Sequence, residues 1–367
     1  MNRHRLASTL FGLGCSVLAC SEAPSQDTTL EFRSAHDRPT VDGKPHGTWQ
    51  YFYATGELWQ TVEFSDGKRH GEDVTFFRTG AVFREGIWTD GIRDGTWQHK
   101  SADGEVLGVS ELTDGSGVYT AWHYDGLKIL QEALRSGVRH GAFSSWYHGS
   151  GAPNVVATYA DGELDGLYRR FYETPRDQIA EEIEYRAGLR HGRWVLYHAN
   201  GGVKERGTFM NDLAEGLFVG FHENQQKRHE GQLKQGKRDA VWTEWYSNGQ
   251  KRLEGPYLDG LRHTDAAGTD DFQYWYDSGQ LQLKTGFFEN EYHGRLQVWH
   301  RNGQKSRETQ YSYGVREGRD RRWNEQGELT FDGTYVNGEL DGWAESTNAE
   351  GVKKRCRFEG GEMVECE

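Results

Sequence analysis

The sequence predicts an all-β chain, an elongated single-layer antiparallel meander of about thirteen stacked 24-residue hairpin repeats. Three observations carry this expectation. A glycine-centred anchor recurs at intervals of 22 to 30 residues, a turn dipeptide sits midway between most anchors, and aromatic residues keep fixed offsets from both. Composition agrees: 48 glycines and 13 Trp, 18 Tyr and 17 Phe stand against only 35% hydrophobic residues of all kinds. A chain this poor in aliphatic residues lacks the core of a large α/β enzyme, and its rings argue against disorder. The class that remains is thin, turn-rich β structure in which rings are the buried groups.

The N-terminus reads as an export signal over residues 1–19. Arg3 and Arg5 are followed by a short apolar run from Leu6 to Val17, too short to span a bilayer as a stable anchor. The run ends in Val17-Leu18-Ala19-Cys20, which is similar to the lipobox of bacterial lipoproteins. That likeness implies diacylation of Cys20, with Cys15 as a weaker alternative, and Ser21 after the cysteine implies sorting to the outer membrane. The expected localisation is therefore exported and lipid-anchored, with membrane contact through the N-terminal lipid only. Residues 20–39 are expected to be a flexible linker, and residues 40–367 the repeat array.

The anchor reads Asp-Gly-x-x-His/Asp-Gly. It appears at Asp42-Gly43, Asp66-Gly67, Asp90-Gly91 and Asp161-Gly162, and as Asn337-Gly338 near the end, with looser copies between. The midway dipeptides include Asn200-Gly201, Asn248-Gly249 and Asn302-Gly303. Asn-Gly and Asp-Gly between β-rich runs are strong hairpin signals, and the expectation is that both central residues take positive φ. Two turns and two strands per repeat give about 26 strands, spanning roughly 120 Å before twist.

Three aromatic ladders follow. The first holds an apolar residue three before the anchor glycine, as at Phe64, Trp88, Tyr257 and Phe287. Two residues earlier the side chain is often absent, as at Gly86, Gly207, Gly231 and Gly255, so the ladder ring is expected to lie over the bare glycine as one packing unit. The second ladder, five residues after the second glycine, includes Trp146, Trp245, Trp275, Trp299 and Trp323. The third, two residues after that glycine, includes Trp49, Trp97, Trp194, Phe218 and Trp242. Its odd offset from the second puts the two on opposite faces unless a bulge intervenes.

The runs from Tyr335 to Gly342, Phe64 to Gly71 and Trp245 to Lys251 resemble the MORN repeat in its bacterial variant form. The resemblance covers roughly residues 40 to 367 and implies a twisted sheet of stacked hairpins used as a docking surface. Many bacterial members carry the label of YwqK-type antitoxin, so an antitoxin-like neutraliser is one implied alternative.

Function classes narrow further by charge and chemistry. A formal net charge of −13 repels phosphate backbones, so nucleic acid is not an expected partner. No nucleophile elbow, phosphate loop or zinc-protease helix is present, and neither catalysis nor a cofactor is expected. Six histidines, His46, His70, His140, His191, His263 and His293, share the slot before the second glycine, which carboxylates fill in other repeats. Successive slots lie about 10 Å apart, too far for shared metal ligation at about 2.1 Å. They read as turn residues bonded to nearby backbone amides. Cys356 and Cys366, exported and ten residues apart, are expected to form a disulfide that staples a terminal capping hairpin. The rings of a one-layer sheet must cover one another or meet a partner. The expected contact residues are Trp146, Trp245, Trp275, Trp299 and Trp323, for an envelope protein or, alternatively, a glycan such as peptidoglycan. The insertion near Thr264 to Asp271 is a candidate partner loop.

Overall fold

The computed structural model describes residues 33–34, 38–264, 271–348 and 350–367, and these form strands and turns without a helix. Residues 1–32, with Cys15 and Cys20, lie outside the described residues, as do 265–270 of the insertion. The chain divides into two compact units, Met1–Ile129 and Leu130–Glu367. Each is an antiparallel meander. In the first, strands follow one another from Gly47–Phe52 to Ser116–Trp122, with Arg33–Ser34 paired against Phe52 and Tyr51. In the second, the same order continues from Lys128–Arg135 to Glu362–Cys366.

The two turns of the repeat differ. At the anchor, Asp66 (φ 49) and Gly67 (φ 83) are both left-handed, and Ser65 pairs with Lys68, a two-residue loop of the primed kind. Midway turns depart from expectation. Gly249 alone is left-handed (φ 85), while Tyr246 both accepts from the Gly249 amide at 2.9 Å and donates to Gln250 at 2.9 Å. That is a three-residue loop closed by one left-handed glycine, so the preceding Asn needs no positive φ. Its side chain serves instead, Asn248 Oδ1 accepting from the Gln250 amide at 3.0 Å.

Each repeat also carries register breaks. Opposite the second glycine, the pairing jumps from Val62–Asp73 to Phe64–Arg69, and Gly71 takes φ 103. The glycine of His-Gly is thus a bulge residue, which explains why that slot tolerates so few side chains. A second break follows Glu244, where Trp245 pairs with Lys251 and Arg252 is left over on the partner strand. Because the extra residue sits on the partner, alternation runs unbroken from Trp242 to Trp245. The two ladders therefore leave the strand on opposite sides.

The core is the meeting of the first and third ladders. Trp97, Phe218, Trp242 and Phe272 are buried. Edge-to-face pairs join Trp88 to Trp97 at 5.4 Å, Phe209 to Phe218 at 5.9 Å and Phe272 to Phe287 at 5.0 Å. The bare glycines are covered by third-ladder rings from the adjacent strand, and not by the first-ladder ring of their own strand. A Cβ on Gly86 would meet Trp97 at 2.2 Å, and one on Gly255 would meet Phe272 at 2.2 Å. Arginines sandwich this layer: Arg190 lies 4.3 Å from Phe209, Arg238 4.4 Å from Trp242 and Arg262 4.1 Å from Phe287.

Two third-ladder positions hold buried carboxylates in place of rings. Asp73 accepts from Gln60 Nε2 at 2.8 Å and Trp88 Nε1 at 2.9 Å. Asp320 is held by Arg307 at 2.8 Å and Arg322 at 3.1 Å. Each buried charge is thereby paired and hydrogen-bonded. The last two strands, Lys353–Glu359 and Glu362–Cys366, are joined by a disulfide between Cys356 and Cys366, whose Cα atoms lie 4.0 Å apart.

Candidate functional site

Between Trp146 and Trp323 of the second unit, the second ladder is aromatic in every repeat: Trp146, Phe171, Tyr197, Phe221, Trp245, Trp275, Trp299 and Trp323. All eight are half-buried. Each ends its strand, immediately before the midway turn. The residue that follows is a Tyr or His up to Trp299, and it fixes the backbone of the next repeat. Tyr147 Oη donates to the Phe171 carbonyl at 2.9 Å, Tyr172 Oη to that of Tyr197 at 2.8 Å, Tyr246 Oη to that of Trp275 at 2.9 Å and Tyr276 Oη to that of Trp299 at 2.9 Å. His198, His222 and His300 place Nε2 at 3.1, 3.0 and 3.0 Å from the carbonyls of Phe221, Trp245 and Trp323. The turn Asn adds a parallel series, with Asn224 Nδ2 donating to Ser247 O and Asn248 Nδ2 to Asp277 O, both at 2.7 Å. The row is therefore held at every step by side chain-to-backbone bonds reaching one repeat on.

From Phe171 to Trp323 no ring of the row pairs with another ring of the row among the described residues. Phe221, Trp245, Trp275 and Trp323 each have a cation as neighbour. Lys227 lies 5.6 Å from the Trp245 ring, Lys251 5.6 Å from Trp275 and Lys305 5.8 Å from Trp323. The same lysines bridge to Glu230, Glu254 and Glu308 at 2.6, 2.6 and 2.5 Å. Burial pushes the Glu308 carboxyl up, but the bonds and charges of Lys305 and Arg295 outweigh it and hold the group down at about 2. A ring, a cation and a carboxylate thus recur along the row.

At the opposite turns, the slot shared by histidines and carboxylates bonds to the next turn. His70 Nδ1 accepts from the Asp90 amide at 3.4 Å, His140 from Asp161 at 3.3 Å and His293 from Tyr313 at 3.4 Å. Glu215 and Glu317 accept the equivalent amides of Gln235 and Asn337 at 2.9 Å. Asp165, Leu167, Glu184, Arg186 and His191 line a depression of about 420 Å³, but its carboxylates are engaged, Asp165 with the Ala187 amide and Glu184 with that of Arg193. At the insertion, Thr264 pairs with Phe287 through its amide at 2.8 Å and its hydroxyl at 3.0 Å.

Sequence reasoning placed the rings but missed what fixes them. The Tyr/His that follows each second-ladder ring was visible as Trp245-Tyr246, Trp275-Tyr276 and Trp299-His300. The stacking arginines were visible as an Arg two residues after the anchor glycine, as at Arg69, Arg238 and Arg316.

The MORN repeat variant matches residues 45–66, 190–211 and 238–259. No curated protein matches the sequence. Solved structures with some likeness include the TcdB2-TccC3 complex without its hypervariable C-terminal region. There identity is 12% and the TM-score 0.20, over 86% of this chain and 16% of that one. A second is the Photorhabdus luminescens Tc holotoxin pore, at 12% identity and a TM-score of 0.16, over 86% of this chain and 20% of that one. The chain thus spans about a fifth or less of the proteins in those structures. The matched segments, one in the first unit and two in the second, each span one hairpin with its midway turn, so the chain carries repeats of the MORN variant in both units.

Proposed function

We propose that this protein is a non-catalytic scaffold of the cell envelope, anchored by lipid on Cys20, whose repeat surface docks a partner protein. One observation carries the reading. The recurring polar side chains of the repeat, at the histidine slot, the Tyr/His position and the turn Asn, bond to backbone of the next repeat. Polar groups committed in this way rigidify a surface and are not poised for proton transfer or attack. The anchoring rests on Arg3, Arg5, the apolar run to Val17 and Cys20.

The test is crosslinking and affinity recovery from native envelope, with the wild type beside Cys20→Ala. The expected result is a stoichiometric protein partner retained by the anchored form, with crosslinks mapping to the repeats. Unchanged membrane fractionation of Cys20→Ala would overturn the lipid anchor. Absence of any stoichiometric partner would overturn the docking role.

A further inference from the structure

We infer that the second-ladder row of the second unit is a platform for a neutral β-1,4-linked glycan strand, with successive tryptophans stacking on alternate sugars. This stands apart from the proposed protein partner and does not depend on the lipid. Rings of the other two ladders are spent on each other in the core, whereas the row from Phe171 to Trp323 is half-buried and, among the described residues, has no ring partners within itself. Its backbone is pinned at each step by bonds such as Tyr246 to Trp275 at 2.9 Å and Tyr276 to Trp299 at 2.9 Å, so ordering the rings adds little cost on binding.

Spacing and chemistry select the occupant. One repeat advances by two strands, about 9.6 Å, close to the length of one disaccharide in an extended β-1,4 chain. Each strand also rotates by roughly 20–25° against its neighbour, a twist that a flexible glycosidic chain can follow. Lys251 over Trp275 and Lys305 over Trp323, each paired with a carboxylate, have further N–H donors for hydroxyl and amide groups. The excess of 56 acidic over 43 basic residues disfavours polyanions and leaves neutral sugars. An extended peptide has no free edge here. The strand ending in Trp245 is hydrogen-bonded to neighbours on both sides, so main-chain addition has nowhere to pair.

The test uses the full chain with chito- and cello-oligosaccharides of two, four and six sugars, by titration calorimetry and tryptophan fluorescence. Affinity is expected to rise about tenfold or more from disaccharide to hexasaccharide as further rings engage. Trp275→Ala should weaken the preferred hexasaccharide about tenfold, as truncating one anchoring ring does. The Trp275→Ala/Trp299→Ala double variant should abolish binding while melting as a folded protein. Tyr313→Ala, at an exposed ring off the row, should bind as the wild type does. No binding of either hexasaccharide, affinity independent of length, or full binding by the double variant would each overturn the inference. So would loss of glycan binding in Tyr313→Ala.

Discussion

Replacing Gly231 by alanine sets two opposing effects against each other, and the structure says which wins. Gly231 is not left-handed, so alanine fits its backbone, and strand propensity alone favours alanine by about 0.5–1 kcal/mol. Sterics oppose it. The added Cβ would lie 2.2, 2.4 and 2.5 Å from Cδ2, Cε2 and Cγ of Trp242. Ordinary carbon contacts begin near ~3.5 Å, so the ring must retreat by about 1 Å or more. It is not free to do so. Trp242 Nε1 donates to the Gln232 carbonyl at 2.8 Å, and Arg238 covers the ring at 4.4 Å. Overpacking costs about 1–3 kcal/mol, and a contact as short as 2.2 Å falls in the upper half of that range, which leaves a net loss of about 1–2.5 kcal/mol. The assay is urea unfolding followed by far-ultraviolet circular dichroism. Gly333→Ala, whose nearest atom is the tip of Phe331 at 2.9 Å, should lose less. Trp242→Leu should be milder in the Gly231→Ala background than in the wild type, giving a non-additive cycle. An alanine variant as stable as the wild type, or a strictly additive cycle, would refute the claim that the glycine exists to receive the ring.

Four further outcomes follow from the same geometry. Tyr246→Phe removes one repeat-to-repeat bond and should cost about 0.5–1.5 kcal/mol in urea unfolding, without loss of strand content. In the first unit, burial, helped by Arg84 and Arg93, drives the His99 imidazole from the ordinary 6.5 down to about 3. A depressed value means that the stability tied to neutral His99 is complete above 6.5 and is lost as pH falls toward 3; His99→Leu should flatten an acid titration of unfolding over that window. The Glu308 carboxylate, held down at about 2, likewise contributes stability that is present above its ordinary 4.5 and is lost as pH falls toward 2. Glu308→Gln should remove that part of the acid dependence, read from the unfolding midpoint between those limits. Cys356→Ser should cost about 2–3 kcal/mol, concentrated in the last hairpin and visible as faster amide exchange there.

What could be read from the residues was the periodic part. The repeat length, the positions of both turns and the three ladders follow from glycine and aromatic spacing, because a turn needs left-handed backbone and a face needs period two; the type of the midway turn does not. The partner of each bare glycine was not legible. Gly255 and its own-strand ring Tyr257 share a face, but the ring that reaches the glycine is Phe272 on the next strand, and register decides that. The faces of Trp242 and Trp245 were undecidable for the same reason, since a bulge on either strand gives the same sequence and opposite results. Asp320 stands in a ring slot. It is a substitution of one buried solution by another, intelligible only once Arg307 and Arg322 are seen to supply its donors. The row as a candidate site was half legible: its rings were named, but their stiffness comes from hydroxyl and imidazole bonds to carbonyls, which composition does not announce.

The bonds that run from one repeat to the next have a consequence for how such a gene can change. Tyr276 reaches Trp299 across 23 residues and Tyr246 reaches Trp275 across 29, yet both make the same bond at 2.9 Å. The longer repeat has its extra residues between Thr264 and Asp271 in the sequence, and Thr264 still pairs with Phe287. From Tyr147 to His300 each repeat makes the same kind of agreement with its successor and asks nothing of those beyond it. Copying or excising a whole repeat leaves each surviving agreement intact, so array length is adjustable by in-frame duplication and deletion. The number of rings along the row becomes a quantity that selection can count up or down one repeat at a time.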